Sequence, residues 1–144
     1  MKTQYPILAI DYGDKHFGLA ISDSKGIIAS PLEVISITKN KTIENMIDEI
    51  IIIAEENNIK TFLIGLPQAF TPVQERTKDK IKKFSKMLES RTKTRIIFYD
   101  ESFSTTEAQN MLTFSGQNTK RSRSKIDKVA ATVFLQEFLN SKQN

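Results

Sequence analysis

Three short and almost unbroken apolar runs constrain the fold of this 144-residue chain more than any other feature. They are residues 7–10, 61–65 and 96–99. A parallel strand that is covered on both faces has this pattern, whereas a strand with one face in water alternates apolar and polar residues. Segments with helical spacing lie between these runs. The order strand, helix, strand, helix, strand predicts parallel crossovers and an α/β fold.

An antiparallel meander is predicted ahead of those crossovers, because three apolar runs in the first part of the chain are separated only by Gly13 and a polar turn at residues 23–26. Residues 32–37 either extend the third strand past Pro31 or form a loop, and the sequence leaves both alternatives open. The predicted strands of the meander are residues 5–11, 17–22 and 27–30.

Four helices are predicted from apolar residues at helical spacing. Ser104 and Glu107 match a capping box that starts the third helix, and Gly116 ends it. Residues 117–125 are polar and basic, and we expect them to be mobile in the free protein. The apolar positions are Ile43, Met46, Ile47, Ile50, Ile51 and Ala54 in the first helix, Ile81, Phe84 and Leu88 in the second, Ala108, Met111 and Leu112 in the third, and Ile126, Val129, Ala130, Val133, Phe134 and Phe138 in the fourth.

The length and composition predict one compact domain over residues 1–144, because 39% apolar residues supply a single core. The chain has no cysteine and one histidine, His16, which rules out disulfides and most zinc sites. No stretch has the length of a signal sequence core or a membrane span, so we expect a cytoplasmic protein without a membrane partner.

Charge is distributed unevenly along the chain. Residues 1–75 hold 6 Lys and Arg against 10 Asp and Glu, whereas residues 76–144 hold 15 against 7, so the two parts carry −4 and +8. A basic part combined with a cluster of acids favours a polyanion that is held by its phosphates. A solvated lysine-rich surface explains the charge equally well.

Four acids stand where chemistry gathers in open α/β sheets, beyond the carboxyl ends of the strands. Asp11 ends the first apolar run, Asp100 and Glu101 follow the last, and Asp127 lies just inside the final predicted helix. Carboxylates so placed suit Mg²⁺ or Mn²⁺, whose preferred ligands are oxygens. Each acid alone is equally consistent with a strand end or a helix cap. Strand alternation allows only one of Asp100 and Glu101 to face Asp11, without indicating which.

Gly13 and Gly18 flank the turn after Asp11, where glycine lets the backbone turn sharply and lets a phosphate approach closely. The same pattern opens the phosphate-binding hairpin of actin-like ATPases and sugar kinases. Those proteins need two large lobes, which 144 residues do not supply.

Taken in order, four motifs resemble the YqgF family of Holliday junction resolvase-like proteins, which includes proteins named for a nuclease role on pre-16S rRNA. The resemblance spans essentially the whole chain. The motifs are Asp11-x-Gly13 followed by Gly18-x-Ala20, Gly65-Leu66-Pro67, Asp100-Glu101-x-x-Ser104-Thr105-x-Glu107-Ala108, and Asp127-x-x-Ala130-Ala131.

The resemblance implies a ribonuclease H-like fold, with a mixed five-stranded sheet of three antiparallel strands and then two parallel ones, flanked by helices. It implies a metal-dependent nuclease for the 5′ end of pre-16S rRNA, with cleavage of DNA junctions as an older suggestion. It also implies that Asp11, Glu101 and Asp127 are the catalytic acids and the metal ligands, with Asp100 as a further candidate ligand.

Two segments depart from the family pattern. Ser102 stands where family members usually carry Arg, and residues 68–72 replace an Asn-x-x-Gly loop after Gly65-Leu66-Pro67. These departures bear on the choice of substrate and on rate more than on the fold. A nucleic-acid-binding scaffold that does not cut therefore stays open as an alternative.

Nucleic-acid contacts are predicted at basic residues close to the acids, where they would hold the substrate backbone. The sequence does not distinguish a pre-rRNA substrate from a DNA junction, or a monomer from a homodimer. Phe70 is a candidate for stacking on a base, and His16 is expected to be an exposed turn residue. The predicted basic contacts are Lys120, Arg121, Arg123, Lys125 and Arg76.

Overall fold

The structure is a computed structural model that describes residues 2–100 and 119–142, with the side chains of residues 2–100 and 129–142. The described residues form five strands and three helices. In chain order these are β1 (Ile7–Asp11), β2 (His16–Ser22), β3 (Ala29–Ser36), α1 (Ile43–Glu56), β4 (Thr61–Leu66), α2 (Pro72–Arg91), β5 (Arg95–Asp100) and α3 (Thr119–Lys142).

A single five-stranded sheet has the order β3-β2-β1-β4-β5. The first three strands are antiparallel neighbours, and β4 and β5 join β1 in parallel. This confirms the predicted mixed sheet of three antiparallel strands followed by two parallel ones, and the fold is ribonuclease H-like. All five residues of β1 are buried because the strand is central.

Helices cover the two faces of the sheet in separate layers. One face packs against α1 and α2, and its core includes the large side chains Phe17, Phe62 and Phe84. The other face packs against α3 through a second core. That second core comprises Ile7, Ala9, Ala20, Leu63, Ala131, Phe134, Leu135, Phe138 and Leu139.

Local sequence signals explain where α1 and α2 begin. The Thr42 hydroxyl accepts a hydrogen bond from the Asn45 N–H, which caps α1. At α2 a full capping box forms, because the Thr71 hydroxyl accepts from the Gln74 N–H and the Gln74 side chain accepts from the Thr71 N–H. Pro72 follows in the first turn, where its missing N–H is not needed.

The third strand settles the alternative that the sequence left open. β3 runs to Ser36, so most of residues 32–37 extend the strand instead of forming a loop. Pro31 is accommodated because β3 is at the edge of the sheet and its pairing with β2 shifts register between Leu19 and Ala20.

The last helix differs from its prediction in length and in its buried face. It begins at Thr119, so residues 119–125 are helical, whereas we expected a mobile segment. Lys and Arg are good helix formers, which makes this extension compatible with the sequence. Val129 and Val133 are only half-buried, while Ala131, Leu135 and Leu139 are fully buried. The predicted third helix, residues 104–116, lies outside the described residues.

Candidate nuclease site

Asp11 is the only acid among the described side chains that is buried, with 8% of its surface exposed. It is the last residue of β1, and Ile7 and Ala9 on the same strand pack into the core beneath α3. Because side chains alternate along a strand, Asp11 lies on that face of the sheet. A carboxylate is costly to bury, so its position at the end of the central strand indicates a specific role.

Glycines stand beside Asp11 on both neighbouring strands. Gly18 is its direct partner on β2. On β4, Ile64 pairs with Ile10, so Gly65 follows at the level of Asp11. The two strands that flank Asp11 therefore place no side chain directly opposite it. Gly18 is one of the glycines predicted to let a phosphate approach, whereas Gly65 is predicted only as part of the Gly65-Leu66-Pro67 motif, since a glycine before Leu-Pro looks like an ordinary strand end.

Gly13 shapes the turn that follows Asp11. A Cβ atom at this position would lie 2.5 Å from the His16 carbonyl oxygen, which is part of the backbone and has little room to move. The close approach explains why glycine is needed there. Gly13 therefore sets the path of the β1–β2 turn and, through it, the pairing of Asp11 with Gly18.

Asp100 lies on the opposite face of the sheet from Asp11. On β5, Ile97 and Tyr99 pack in the layer of α3, whereas Ile96 packs in the layer of α1 and α2. Alternation groups Asp100 with Ile96 and with the exposed Phe98. The structure thus does not bring the Asp100 side chain to the face that carries Asp11.

The other two predicted acids are less fully described. Glu101 lies outside the described residues. Asp127 lies in α3, four residues before Ala131 and seven before Phe134, and both of those residues are buried. Among the side chains that the structure describes, no three His, Cys, Asp or Glu residues come together as a metal site. The triad therefore stays a prediction.

The predicted basic contacts fall on two helices. Lys120, Arg121, Arg123 and Lys125 all lie in the first two turns of α3. Arg76 is exposed near the start of α2. Close by, the Lys80 Nζ lies 3.3 Å from the Asp14 carboxylate, which links α2 to the turn between β1 and β2. Both partners are largely exposed, so this ion pair adds little to stability.

Tyr12 and His16 are near Asp11 in sequence, and each contacts other residues. Tyr12 packs against Phe17 and Phe84 on the face of α1 and α2. Burial raises the pKa of its phenol, an effect that Lys80 partly opposes, so Tyr12 stays protonated at neutral pH. His16 is half-buried as the first residue of β2, not an exposed turn residue, and its Nδ1 lies 3.2 Å from the Ser36 hydroxyl.

A groove of about 310 Å³ opens beside the same ends of β4 and β5, on the Asp100 side. Phe70 is 81% exposed and Phe98 is 44% exposed, and both line it together with Lys78. Large exposed aromatic residues in one groove are typical of a binding surface. The loop that departs from the family pattern supplies one wall, through Gln68, Ala69 and Phe70.

Curated relatives match this chain over nearly all of its length. A protein from Fusobacterium nucleatum called "Putative pre-16S rRNA nuclease" is 35% identical over 138 residues, which cover 94% of this chain and 97% of the relative. A protein of the same name from Geobacillus sp. (strain WCH70) is 34% identical, over 95% of this chain and 99% of the relative.

A solved structure supports the fold. Thermus thermophilus RuvC, in complex with a Holliday junction substrate, superposes with a TM-score of 0.61 over 97% of each chain at 13% sequence identity. In the part of the chain that the structure describes, no helix is long and apolar enough to cross a bilayer. Residues 5–141 match the family RuvX, described as Holliday junction resolvase, which is the YqgF family that the motifs resemble. The chain belongs to the RuvX family.

Proposed function

We propose that this protein is a metal-dependent endonuclease that processes the 5′ end of pre-16S rRNA in the cytoplasm. The observation that carries the proposal is the buried Asp11 at the end of the central strand, with Gly18 and Gly65 on either side. Relatives of about 35% identity carry the corresponding nuclease name. Their near-complete alignment with this chain supports a shared reaction.

The donor atoms near Asp11 fit a hard divalent cation. The chain has no cysteine, and its one histidine contacts Ser36, so oxygen is the available ligand type. Oxygen ligands suit Mg²⁺ or Mn²⁺ and do not suit a structural zinc. We assign the ligand roles to Asp11, Glu101 and Asp127. When bound, such a cation lowers the pKa of a water molecule and stabilises charge on the leaving oxygen.

The register of β5 supports Glu101 over Asp100 as the second ligand. Tyr99 packs on the face that carries Asp11, and Asp100 belongs to the opposite face. The family resemblance selects Glu101, and the position of Asp100 on the opposite face is consistent with that choice.

Packing of α3 supports Asp127 as the third ligand. The Gln136 side chain accepts from the Ala29 N–H and donates to the Ile27 carbonyl, which fixes the C-terminal half of α3 beside the start of β3. Tyr99 stacks on Phe134 and donates a hydrogen bond to Glu137, which ties the helix to β5. These anchors hold the C-terminal half of the helix against the sheet, and Asp127 precedes them in the same helix.

In the reaction, water attacks a phosphodiester phosphorus, the bond to the 3′ oxygen breaks, and the products carry a 5′-phosphate and a 3′-hydroxyl. Asp11 would hold the cation from a fixed strand end, together with Glu101 and Asp127. The glycines at positions 18 and 65 leave the backbone open to close approach. Lys120, Arg121, Arg123, Lys125 and Arg76 would hold the neighbouring phosphates.

Two other functions remain testable alternatives. Cleavage of a four-way DNA junction is suggested by the description of the family as Holliday junction resolvase. A scaffold that binds without cutting is suggested by the altered loop at Gln68, Ala69 and Phe70, which faces the groove near the site. A homodimer would favour the junction substrate, because a junction presents two symmetric strands, and a monomer would favour RNA.

Cleavage of three labelled substrates tests the proposal: pre-16S rRNA, an unrelated single-stranded RNA, and a four-way DNA junction. Each is incubated with Mg²⁺, Mn²⁺ or EDTA, using the native protein and Asp11→Asn. We expect metal-dependent cutting of the precursor that the variant loses while it stays folded. Preferential cutting of the junction would establish the resolvase alternative. Binding without any cutting would establish the scaffold.

A further inference from the structure

A second candidate site lies at the other end of the parallel strands, where β4 and β5 begin. A cavity of about 400 Å³ opens there, and half of the eight residues that line it are cationic. We call it the basic pocket. Its lining residues are Lys2, Gln4, Ile59, Lys60, Thr61, Lys93, Thr94 and Arg95.

Parallel strands bring these cations together from three separate segments. Thr61 and Arg95 are the first residues of β4 and β5 and are direct partners in the sheet. The chain before β1 joins them, because the Lys60 N–H donates to the Pro6 carbonyl and the Thr61 hydroxyl donates to the Gln4 carbonyl at 2.8 Å. Lys2 reaches the pocket through this attachment.

The lining of the basic pocket contains four cations and no acid. Among the side chains that the structure describes, no carboxylate forms an ion pair with Lys2, Lys60, Lys93 or Arg95. The groove beside Phe70 differs, since it holds one cation and one acid, Lys78 and Asp100. Four cations around one concavity repel one another, and a bound anion relieves that repulsion.

The lining indicates an anion that is recognised by charge and not by base identity. No aromatic side chain lines the basic pocket, so it offers no surface on which a base could stack. Lysine and arginine contacts to phosphates carry no sequence information and fix only the path of the strand. Long, exposed cationic side chains suit an extended polyanion better than one small ion.

We infer that the basic pocket binds the phosphate backbone of the RNA strand outside the cleavage site. This inference rests on the proposed nuclease function. β4 has six residues, and at about 3.3 Å per residue its two ends are about 17–20 Å apart. A strand with the spacing of a duplex, about 3.4 Å per nucleotide, covers that distance in about five or six nucleotides, and an extended single strand needs fewer. The pocket therefore favours substrates that extend well beyond the cut.

Binding of labelled single-stranded RNA in EDTA tests this inference without requiring cleavage. The pocket variant carries Lys60→Gln, Lys93→Gln and Arg95→Gln. The control variant carries Lys82→Gln, Lys83→Gln and Lys86→Gln, which removes three exposed cations from α2 and gives the same net charge. Affinity for a 20-nucleotide and a 4-nucleotide RNA is measured between 50 and 200 mM salt. Circular dichroism compares the folding of both variants with that of the native protein.

We expect the pocket variant to lower the salt slope for the 20-nucleotide RNA by about 2, because each single-strand phosphate contact contributes about 0.7. The control should change the slope by much less. The preference of the native protein for the longer RNA should shrink only in the pocket variant. Equal losses in both variants would overturn the inference in favour of a solvated basic surface. So would removal of the difference by 1 mM inorganic phosphate, which would indicate a site for a small anion.

Failure of this inference is distinguishable from failure of the nuclease proposal. If the native protein cuts RNA in Mg²⁺ but the pocket variant binds RNA as the native protein does, the pocket assignment falls and the nuclease stands. If nothing is cut but the pocket variant alone loses binding, the pocket assignment stands and the nuclease falls.

Discussion

The two ends of the parallel strands carry different side chains. At the end where β1 and β5 stop, which we call the acidic end, Asp11 and Asp100 are the last residues of their strands. At the end where β4 and β5 begin, which we call the basic end, Lys60 and Arg95 line the basic pocket. The acidic end buries an acid beside glycines, and the basic end exposes cations around a cavity. We therefore propose chemistry at the acidic end and substrate holding at the basic end.

The largest expected effect is a difference in cleavage rate between variants of Asp11 and Asp100, the two acids of the acidic end. Asp11→Asn should reduce cleavage by more than about 100-fold, because even residues that only support a metal ligand contribute about 10–100-fold. Asp100→Asn should change the rate by less than about threefold, since its side chain belongs to the opposite face of the sheet from Asp11. Single-turnover cleavage rates measure both. Equal losses in the two variants would contradict the assignment of faces.

The contrast between these two acids shows what the sequence could and could not predict. Unbroken apolar runs and helical spacing were enough for the mixed sheet, because burial on both faces leaves a distinct pattern. The face of each acid was not predictable, since alternation gives relative and not absolute direction. The sequence placed Gly65 in a family motif but did not show that it lies beside Asp11, because that depends on pairing with β1, which lies more than fifty residues away in the chain.

The predictions that Val129 and Val133 lie on the buried stripe of α3 were wrong for a similar reason. Val129 and Val133 fit an apolar stripe as well as Ala131 and Leu135 do, because adjacent rows of a helix differ by only about 100°. Contact with the sheet decides between the rows, and a single sequence does not contain that contact. The basic pocket was also beyond sequence analysis, because Lys2, Lys60 and Arg95 come from distant segments.

The second prediction concerns the turn that positions Asp11 at the acidic end. Gly13→Ala should lower the free energy of unfolding by about 1–3 kcal/mol, because its Cβ would collide with the His16 carbonyl oxygen. Asp14→Ala in the same turn is the control, and it should cost less than about 1 kcal/mol, since it loses only an exposed ion pair with Lys80. Urea denaturation measures both changes. A neutral Gly13→Ala would show that the turn is freely adjustable.

The third prediction, of a smaller effect, tests whether the acidic end also contacts bases of the RNA. Phe70→Ala should weaken binding of single-stranded RNA by about fivefold, the lower end of the range for one stacked base. Ile52→Ala is the control, because Ile52 is also apolar and 53% exposed but lies on α1. Fluorescence of 2-aminopurine placed near the cut reports stacking directly. Unchanged fluorescence in Phe70→Ala would remove the aromatic groove from the substrate path.

The smallest effect concerns Asp23, an acid in the turn between β2 and β3. The N–H groups of Ile28 and Ile27 donate to its carboxylate and lower its pKa below the ordinary value of 3.8. The folded protein therefore binds this proton less tightly than the unfolded chain does. The stabilisation is complete above that ordinary value and is lost as the pH falls through the lower folded pKa.

Asp23→Asn should accordingly reduce Tm slightly at pH 7 and progressively less between pH 4 and pH 2, as thermal melts would show. If the difference persisted at the lowest pH, the loss would come from the shape of the side chain and not from its charge. RNA binding by this variant should stay unchanged, because Asp23 is not among the residues that line the basic pocket.

The strand order has a consequence for motion. β1 is hydrogen-bonded on both sides, so its amides exchange with solvent only when the sheet itself comes apart, whereas β5 pairs with β4 and lies at the end of the sheet formed by the described strands. Asp11 therefore stands on the part of the molecule that opens least often. Asp100 stands at the end of a strand that can open separately. In the proposed nuclease site, Asp11 is therefore the acid that the sheet holds most firmly.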